Sequence, residues 1–212
     1  MNTKEITQYK KTLKLNKKQR EIIVGLLLGD GHLETQNNGK TYRLKIEHSI
    51  KQLDYVNWLY EVFQDWINGS VYQKTKNGKI YVGFTTHSHS SLRYYGHQFY
   101  VNKEKRIPKQ IGKMITSLSL AIWFMDDGSR KSEKHYTYNI HSLGFSKPDL
   151  NIIAKSLKQR FQIEVKLHKQ KDKYWRLYIG SEYAYHFYSL IKDFVLPIKS
   201  MQSKLGNTKP KK

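Results

Sequence analysis

The 212-residue chain carries 38 Lys and Arg against 17 Asp and Glu, a formal charge of +21 at pH 7, and no cysteine. The missing thiols exclude disulfides, thiolate zinc sites and cysteine nucleophiles, and the charge predicts a polyanionic partner, nucleic acid above all. The basic residues are interleaved with 16 Tyr, 4 Trp and 8 Phe, which predicts a folded binding protein rather than a basic tail or a membrane-surface helix.

In chain order, periodicity predicts a helix over 17–30, an alternating strand over 41–49 and a helix over 52–67. SVYQKTK and KIYVGFTT then read as a hairpin turned at Asn77-Gly78, with a helix near 88–100. After a basic linker over 105–116 the order repeats: a helix over 117–127, an extended segment over 135–145, and a helix from the N-cap Ser146, with Pro148 in its first turn, to about Phe161. The strands IEVKLHK and YWRLYIG and a helix over 182–194 complete it. The expected class is α+β, two αββαββα units related by a pseudo-two-fold. The N-terminal half would span 1–104, the C-terminal half 117–205, and a basic tail 206–212 is expected to be disordered. The longest apolar run, IIVGLLLG, is too short to span a bilayer, and the N-terminus lacks signal or transit character. The protein is therefore expected to act where it is made, in an organelle or a bacterial cytoplasm, with no membrane association.

The first helix of each unit ends in the same unusual way, IVGLLLGDG over 23–31 and LAIWFMDDG over 120–128. Glycine is an ordinary helix stop, but a carboxylate at a helix C-terminus opposes the helix dipole. Asp127 repeats this 97 residues after Asp30, so positive charge is expected beside both. These segments resemble the LAGLIDADG motif of homing endonucleases, and the two copies are similar to those of the monomeric, intron-encoded members. The resemblance covers nearly the whole chain. It implies two motif helices packed side by side at the centre, antiparallel sheets forming a saddle for double-stranded DNA, and site-specific double-strand cleavage by a monomer needing no protein partner. It also implies that Asp30 and Asp127 are the catalytic pair and hold metal, with the carbonyl oxygens of Gly29 and Asp126 as further ligands. Lys105 and Lys204, 75 and 77 residues beyond the respective aspartates, match the lysines that assist near each scissile phosphate.

Elementary chemistry agrees with that implication. Two carboxylates beside two negative dipole ends are costly without a cation. Oxygen donors and a phosphate-rich substrate point to Mg²⁺, with Mn²⁺ able to substitute. Gly25 and Gly29 would let the helices approach closely, whereas their counterparts Ile122 and Asp126 are not small, so the contact should be asymmetric. Trp123, Phe124 and Met125 read as core. The Asp126 side chain receives no role.

Strand alternation assigns the nucleic-acid face. Leu44 and Ile46 should point inward, with Arg43, Lys45 and Glu47 outward, joined by Lys74, Lys76, Lys79, Tyr81 and Thr85 of the hairpin. The second half contributes Lys131, Thr137, Asn139, His141, Lys166, His168, Lys173, Tyr174, Arg176 and Tyr178. Most of the lysines suit phosphates, while Arg43, Arg176, Glu47 and Asn139 suit base edges. The nine histidines show no metal-binding spacing and read as surface or satisfied core. Unlike halves predict an asymmetric target. Two alternatives share the fold: an RNA maturase acting on intron RNA, and a DNA-binding regulator without catalysis, against which the intact Asp30 and Asp127 speak.

Overall fold

The computed structural model describes residues 3–132, 135–170 and 174–206. Its first part runs α1 (Thr3–Thr12), α2 (Lys17–Leu28), β1 (His32–Glu34), β2 (Arg43–Ser49), α3 (Leu53–Phe63), β3 (Tyr72–Lys76), β4 (Lys79–Thr85) and α4 (Arg93–Phe99). The small hairpin β5 (Tyr100–Val101) and β6 (Glu104–Lys105) and the short α5 (Ile111–Met114) follow. The second part runs α6 (Ser117–Asp127), β7 (Gly128–Ser132), β8 (His135–Ile140), α7 (Lys147–Phe161), β9 (Val165–Gln170), β10 (Tyr174–Ile179), α8 (Ser181–Val195) and α9 (Lys199–Leu205).

Local chemistry explains where the central helices begin. Asn16 and Gln19 close a reciprocal capping box at the start of α2, with bonds of 2.9 and 3.0 Å. Thr116 caps α6 by accepting the Ser119 N–H at 3.2 Å. Each half then builds one four-stranded antiparallel sheet, in the matching orders β1-β2-β4-β3 and β7-β8-β10-β9. This is the expected α+β fold of two αββαββα units. Leu44, Ile46, Val82 and Phe84 bury one face of the first sheet, and Tyr138, Ile140, Leu177 and Ile179 one face of the second.

The two halves meet where α2 packs along α6. Ile22, Leu26, Ile122, Trp123, Phe124 and Met125 of these helices are wholly buried, with Phe124 turned into its own half against Tyr138 and Phe187. A Cβ on Gly25 would lie 2.5 Å from Ile122 Cβ, and one on Gly29 would lie 2.6 Å from Asp126 Cβ. Each glycine thus makes room for a bulkier counterpart, which is the asymmetric contact expected.

Several elements differ from the sequence expectation. The first motif helix stops at Leu28, the helix expected over 52–67 turns to 3-10 geometry after Phe63, and the extended segment expected to reach 145 leaves the sheet after Ile140. β1 and β7 were not expected, the former because it is only three residues long, the latter because GSRKS has no apolar alternation. α9 was hidden for a similar reason, since only Met201 and Leu205 of KSMQSKL are buried. It nevertheless ties the halves together, with the Ser200 N–H donating to Asp54 of α3 at 2.8 Å. The tail from 207 and Lys173 lie outside the described residues. Among the described residues no helix is long and apolar enough to cross a membrane.

Candidate active site and nucleic-acid face

Because α2 and α6 lie side by side, their C-terminal ends bring Asp30, Asp126 and Asp127 into one cluster. Asp30 is the open member, its side chain 52% exposed. Asp127 is partly buried and accepts the Trp123 indole N–H at 3.3 Å. Asp126 is closed off, its side chain 0% exposed, with Oδ2 accepting the backbone N–H of Asp30 at 3.0 Å and Oδ1 accepting the Tyr55 hydroxyl at 2.9 Å. Burial, then the charge of Asp30, pushes the Asp126 carboxyl up to about 8, and burial with the charges of Asp126 and Asp30 does the same for Asp127. Acids this reluctant to ionise alone are a cation site in waiting.

The positive charge expected beside the acids is present. Lys105, on β6, donates to the carbonyls of Gly29 and Gly31 at 2.6 and 2.9 Å. Lys204, on α9, donates to the carbonyls of Met125 and of Asp126, the latter at 2.8 Å. Each lysine therefore caps the end of one motif helix, where free carbonyls and the dipole's negative pole meet an added carboxylate. Burial lowers the pKa of both ammonium groups against the raising pull of the three aspartates. The two carbonyls assigned to metal in the sequence, those of Gly29 and Asp126, are the ones these lysines hold.

Sequence reasoning missed two members of the cluster. His48, expected to be surface or satisfied core, is buried with Nδ1 3.7 Å from Asp30 Oδ2, Nε2 3.8 Å from Asp126 Oδ1, and no hydrogen bond to Nε2 among the described residues. Burial pushes its pKa down despite the nearby Asp30 charge. Tyr55 is wholly buried behind Asp126, and burial followed by that carboxylate holds its hydroxyl well above the usual range. The inward alternation Leu44, Ile46, His48 was the available signal for His48. Ligand atoms of Asp30, His48 and Asp126 lie within 4.8 Å of one another, and the open Asp30 carboxylate with Asp127 alongside supplies oxygen donors that fit a hard divalent cation.

The first sheet presents its outward residues together. Lys45 stands opposite Thr85, Tyr81 opposite Lys74, and Lys79 opposite Lys76, so these share the face of Arg43 and Glu47. β1 adds His32 and Glu34 to that face, opposite Lys45 and Arg43. Glu34 binds Arg43 at 2.7 Å and Lys45 at 3.4 Å, while Glu47 binds Lys74 at 2.5 Å and accepts the Tyr72 hydroxyl at 3.0 Å. Burial opposes ionisation of both glutamates, but these bonds hold their carboxyls below the usual value.

On the second sheet Tyr178 stands opposite both Asn139 and Lys166, and Arg176 opposite His168, with His168 stacked on Tyr178 at 4.5 Å. Lys131 is exposed, Tyr174 begins β10 opposite Gln170, and His141 bonds Ser129 at 3.0 Å. One expectation needs correcting here. Thr137 and Asn139 were expected to stand exposed, yet they are 6% and 4% exposed, Asn139 lying between Tyr178 of β10 and Ser129 of β7.

Two matched antiparallel sheets over a pair of close-packed helices ending in acids define a duplicated nucleic-acid-processing fold. The chain belongs to the LAGLIDADG DNA endonuclease family, whose profile matches residues 20–187. It is 29% identical to a probable intron-encoded endonuclease 1 of Wickerhamomyces canadensis, over 92% of this chain and 88% of that protein. It is 28% identical to the cytochrome b mRNA maturase bI2 of Saccharomyces cerevisiae over 91% of this chain, and there it spans about half (48%) of the relative's length. The solved structure of the homing endonuclease I-WcaI bound to its DNA recognition sequence matches with a TM-score of 0.86 and 28% identity, over 96% of this chain and 93% of that one.

Proposed function

We propose that the chain is a monomeric, site-specific DNA endonuclease that cuts both strands of a long, asymmetric duplex by Mg²⁺-dependent hydrolysis. One observation carries the reading: both motif helices deliver a carboxylate to a common cluster, and each helix end is capped by its own lysine. Asp30 and Asp127 would hold Mg²⁺, or Mn²⁺ in its place, and the ion when bound would polarise the phosphodiester and lower the pKa of a water. The chain's own residues do the rest. Lys105 and Lys204 place positive charge beside the two strands, Trp123 orients the Asp127 carboxylate, and the sheets fix the duplex over the cluster.

The halves 1–104 and 117–205, joined through 105–116 and followed by the tail 206–212, would each read one half-site. The outward residues of the first sheet, with Lys131, His141, Lys166, His168, Lys173, Tyr174, Arg176 and Tyr178 of the second, would form the DNA interface. The intron-encoded relative supports action in the compartment of synthesis, an organelle or a bacterial cytoplasm. The maturase relative supports a second reading, in which the same chain assists splicing of intron RNA. Incubation with a randomised duplex library and Mg²⁺, followed by sequencing of cut ends, tests the first reading: one recurrent asymmetric site is expected, and no cutting at any site would overturn it.

A further inference from the structure

Gly29 and Asp126 occupy the same, seventh position of the segments 23–31 and 120–128, yet only the second carries a side chain. The backbone N–H of Asp30 lies beyond the end of α2, whose last cap bond runs from the Gly29 N–H to Gly25. Asp126 Oδ2 takes the Asp30 N–H at 3.0 Å, across the junction between halves, while Tyr55 holds Oδ1 from behind at 2.9 Å. The space Asp126 fills is the space a Cβ on Gly29 would need. The open acid of the first half is thus gripped at its backbone by a buried acid of the second.

A buried carboxylate so close to Asp30 and His48 could instead be a metal ligand. Two facts oppose that. Its side chain is 0% exposed, shut off from the face where a phosphate would arrive, and both of its oxygens already receive a donor. Asp30, at 52% exposure, has the open route.

We propose that Asp126 is a positioning residue, not a ligand: backed by Tyr55, it clamps the Asp30 backbone and so aims the Asp30 carboxylate at the bound cation. The proposal rests on the reading of Asp30 as a metal ligand.

The test uses Tb³⁺ as the probe on the full chain, read by luminescence sensitised from Trp123, alongside cleavage rates and melting temperatures. An asparagine at 126 can keep its oxygen on the Asp30 N–H and turn its amide toward the Tyr55 oxygen, since a tyrosine hydroxyl both donates and accepts. Asp126→Asn therefore retains Tb³⁺ affinity within about threefold, whereas Asp126→Ala loses about tenfold or more, the usual cost of removing a partner that orients a ligand. Tyr55→Phe, which changes no shape, loses about tenfold and slows kcat without changing KM for the duplex; it carries the test if the alanine variant does not fold. Equal loss in Asp126→Asn and Asp126→Ala would make Asp126 a ligand and overturn the proposal. A lowered melting temperature with wild-type Tb³⁺ affinity in both Asp126→Ala and Tyr55→Phe would reduce the clamp to core packing and overturn it as well. Wild-type Tb³⁺ affinity in Asp30→Asn would instead overturn the underlying metal assignment.

Discussion

On the outward face of the first sheet, Glu34 holds Arg43 and Lys45, and Glu47 holds Lys74 and Tyr72. On the second sheet, Thr137 Oγ1, Asn139 Oδ1, Gln170 Oε1 and Arg176 Nε are buried with no hydrogen-bond partner among the described residues. The same topology has therefore been given two kinds of surface. The first has exchanged hydration for internal ion pairs, which a duplex must loosen before it gains anything. The second carries polar atoms whose bonds are not made within the protein, so a base edge that reaches them on docking supplies the missing bond and one that cannot leaves the deficit standing. Discrimination should be uneven across an asymmetric target, sharper under the second half.

The ends of the motif helices differ in the same spirit, with Asp30 open and Asp127 enclosed, and the largest expected effects lie there. Asp30→Asn and Asp127→Asn should each reduce cleavage by about a thousandfold or more while the duplex is still bound, measured by cleavage and gel-shift assays side by side. Only Asp127→Asn should also raise the melting temperature in chelator, because it removes a buried group that resists ionising. Undiminished cutting by either variant would break the paired-acid site.

Lys105→Met and Lys204→Met compare the halves one strand at a time. Each should slow cleavage by about ten- to a hundredfold, less than loss of an acid, because metal still stabilises much of the developing charge. End-labelling both strands should show nicked duplex accumulating, on opposite strands for the two variants. Equal slowing of both strands would mean that the lysines serve the shared cluster.

The comparison of sheets is tested by base preference. Arg176→Ala should relax selection at individual base pairs by about 1–3 kcal/mol, and Arg43→Ala by less, since Glu34 already occupies its guanidinium. Cleavage of singly substituted targets measures this, and equal relaxation in both halves would erase the distinction. Glu47→Gln, which frees Lys74, should steepen the log–log salt dependence of binding by about 0.9 if the released ammonium reaches a phosphate.

The smallest effect is on pH. Asp126 and Asp127 keep their protons to about 8 in the fold, against about 3.9 in an unfolded chain. Between those values the folded state binds more protons, so stability falls as pH rises. His48, whose pKa is lowered in the fold, works the other way only below its ordinary range near 6.5. Calorimetry in chelator from about pH 6.5 to 8 should therefore show a declining melting temperature, and added Mg²⁺ should flatten it. A level profile in chelator would place the acids in open water.

The repeated order of the longer elements, the two Asp-Gly helix ends and the inward pair Leu44 and Ile46 were legible in the sequence, because each depends on periodicity or on a stop within a few consecutive residues. The resemblance of the two motifs then pointed to Lys105 and Lys204, but not to what they touch. Their seats on the motif-helix carbonyls depend on a two-residue strand and on a short, mostly polar helix, neither of which announces itself by pattern. The link between Tyr55 and Asp126 spans 71 residues and exists only because α2 packs on α6 closely enough for a glycine to face a carboxylate. The burial of Asn139 was likewise settled by its neighbours Ser129 and Tyr178, the latter from a strand far along the chain. Alternation determines which way a side chain points, whereas burial depends on what the rest of the fold lays across it.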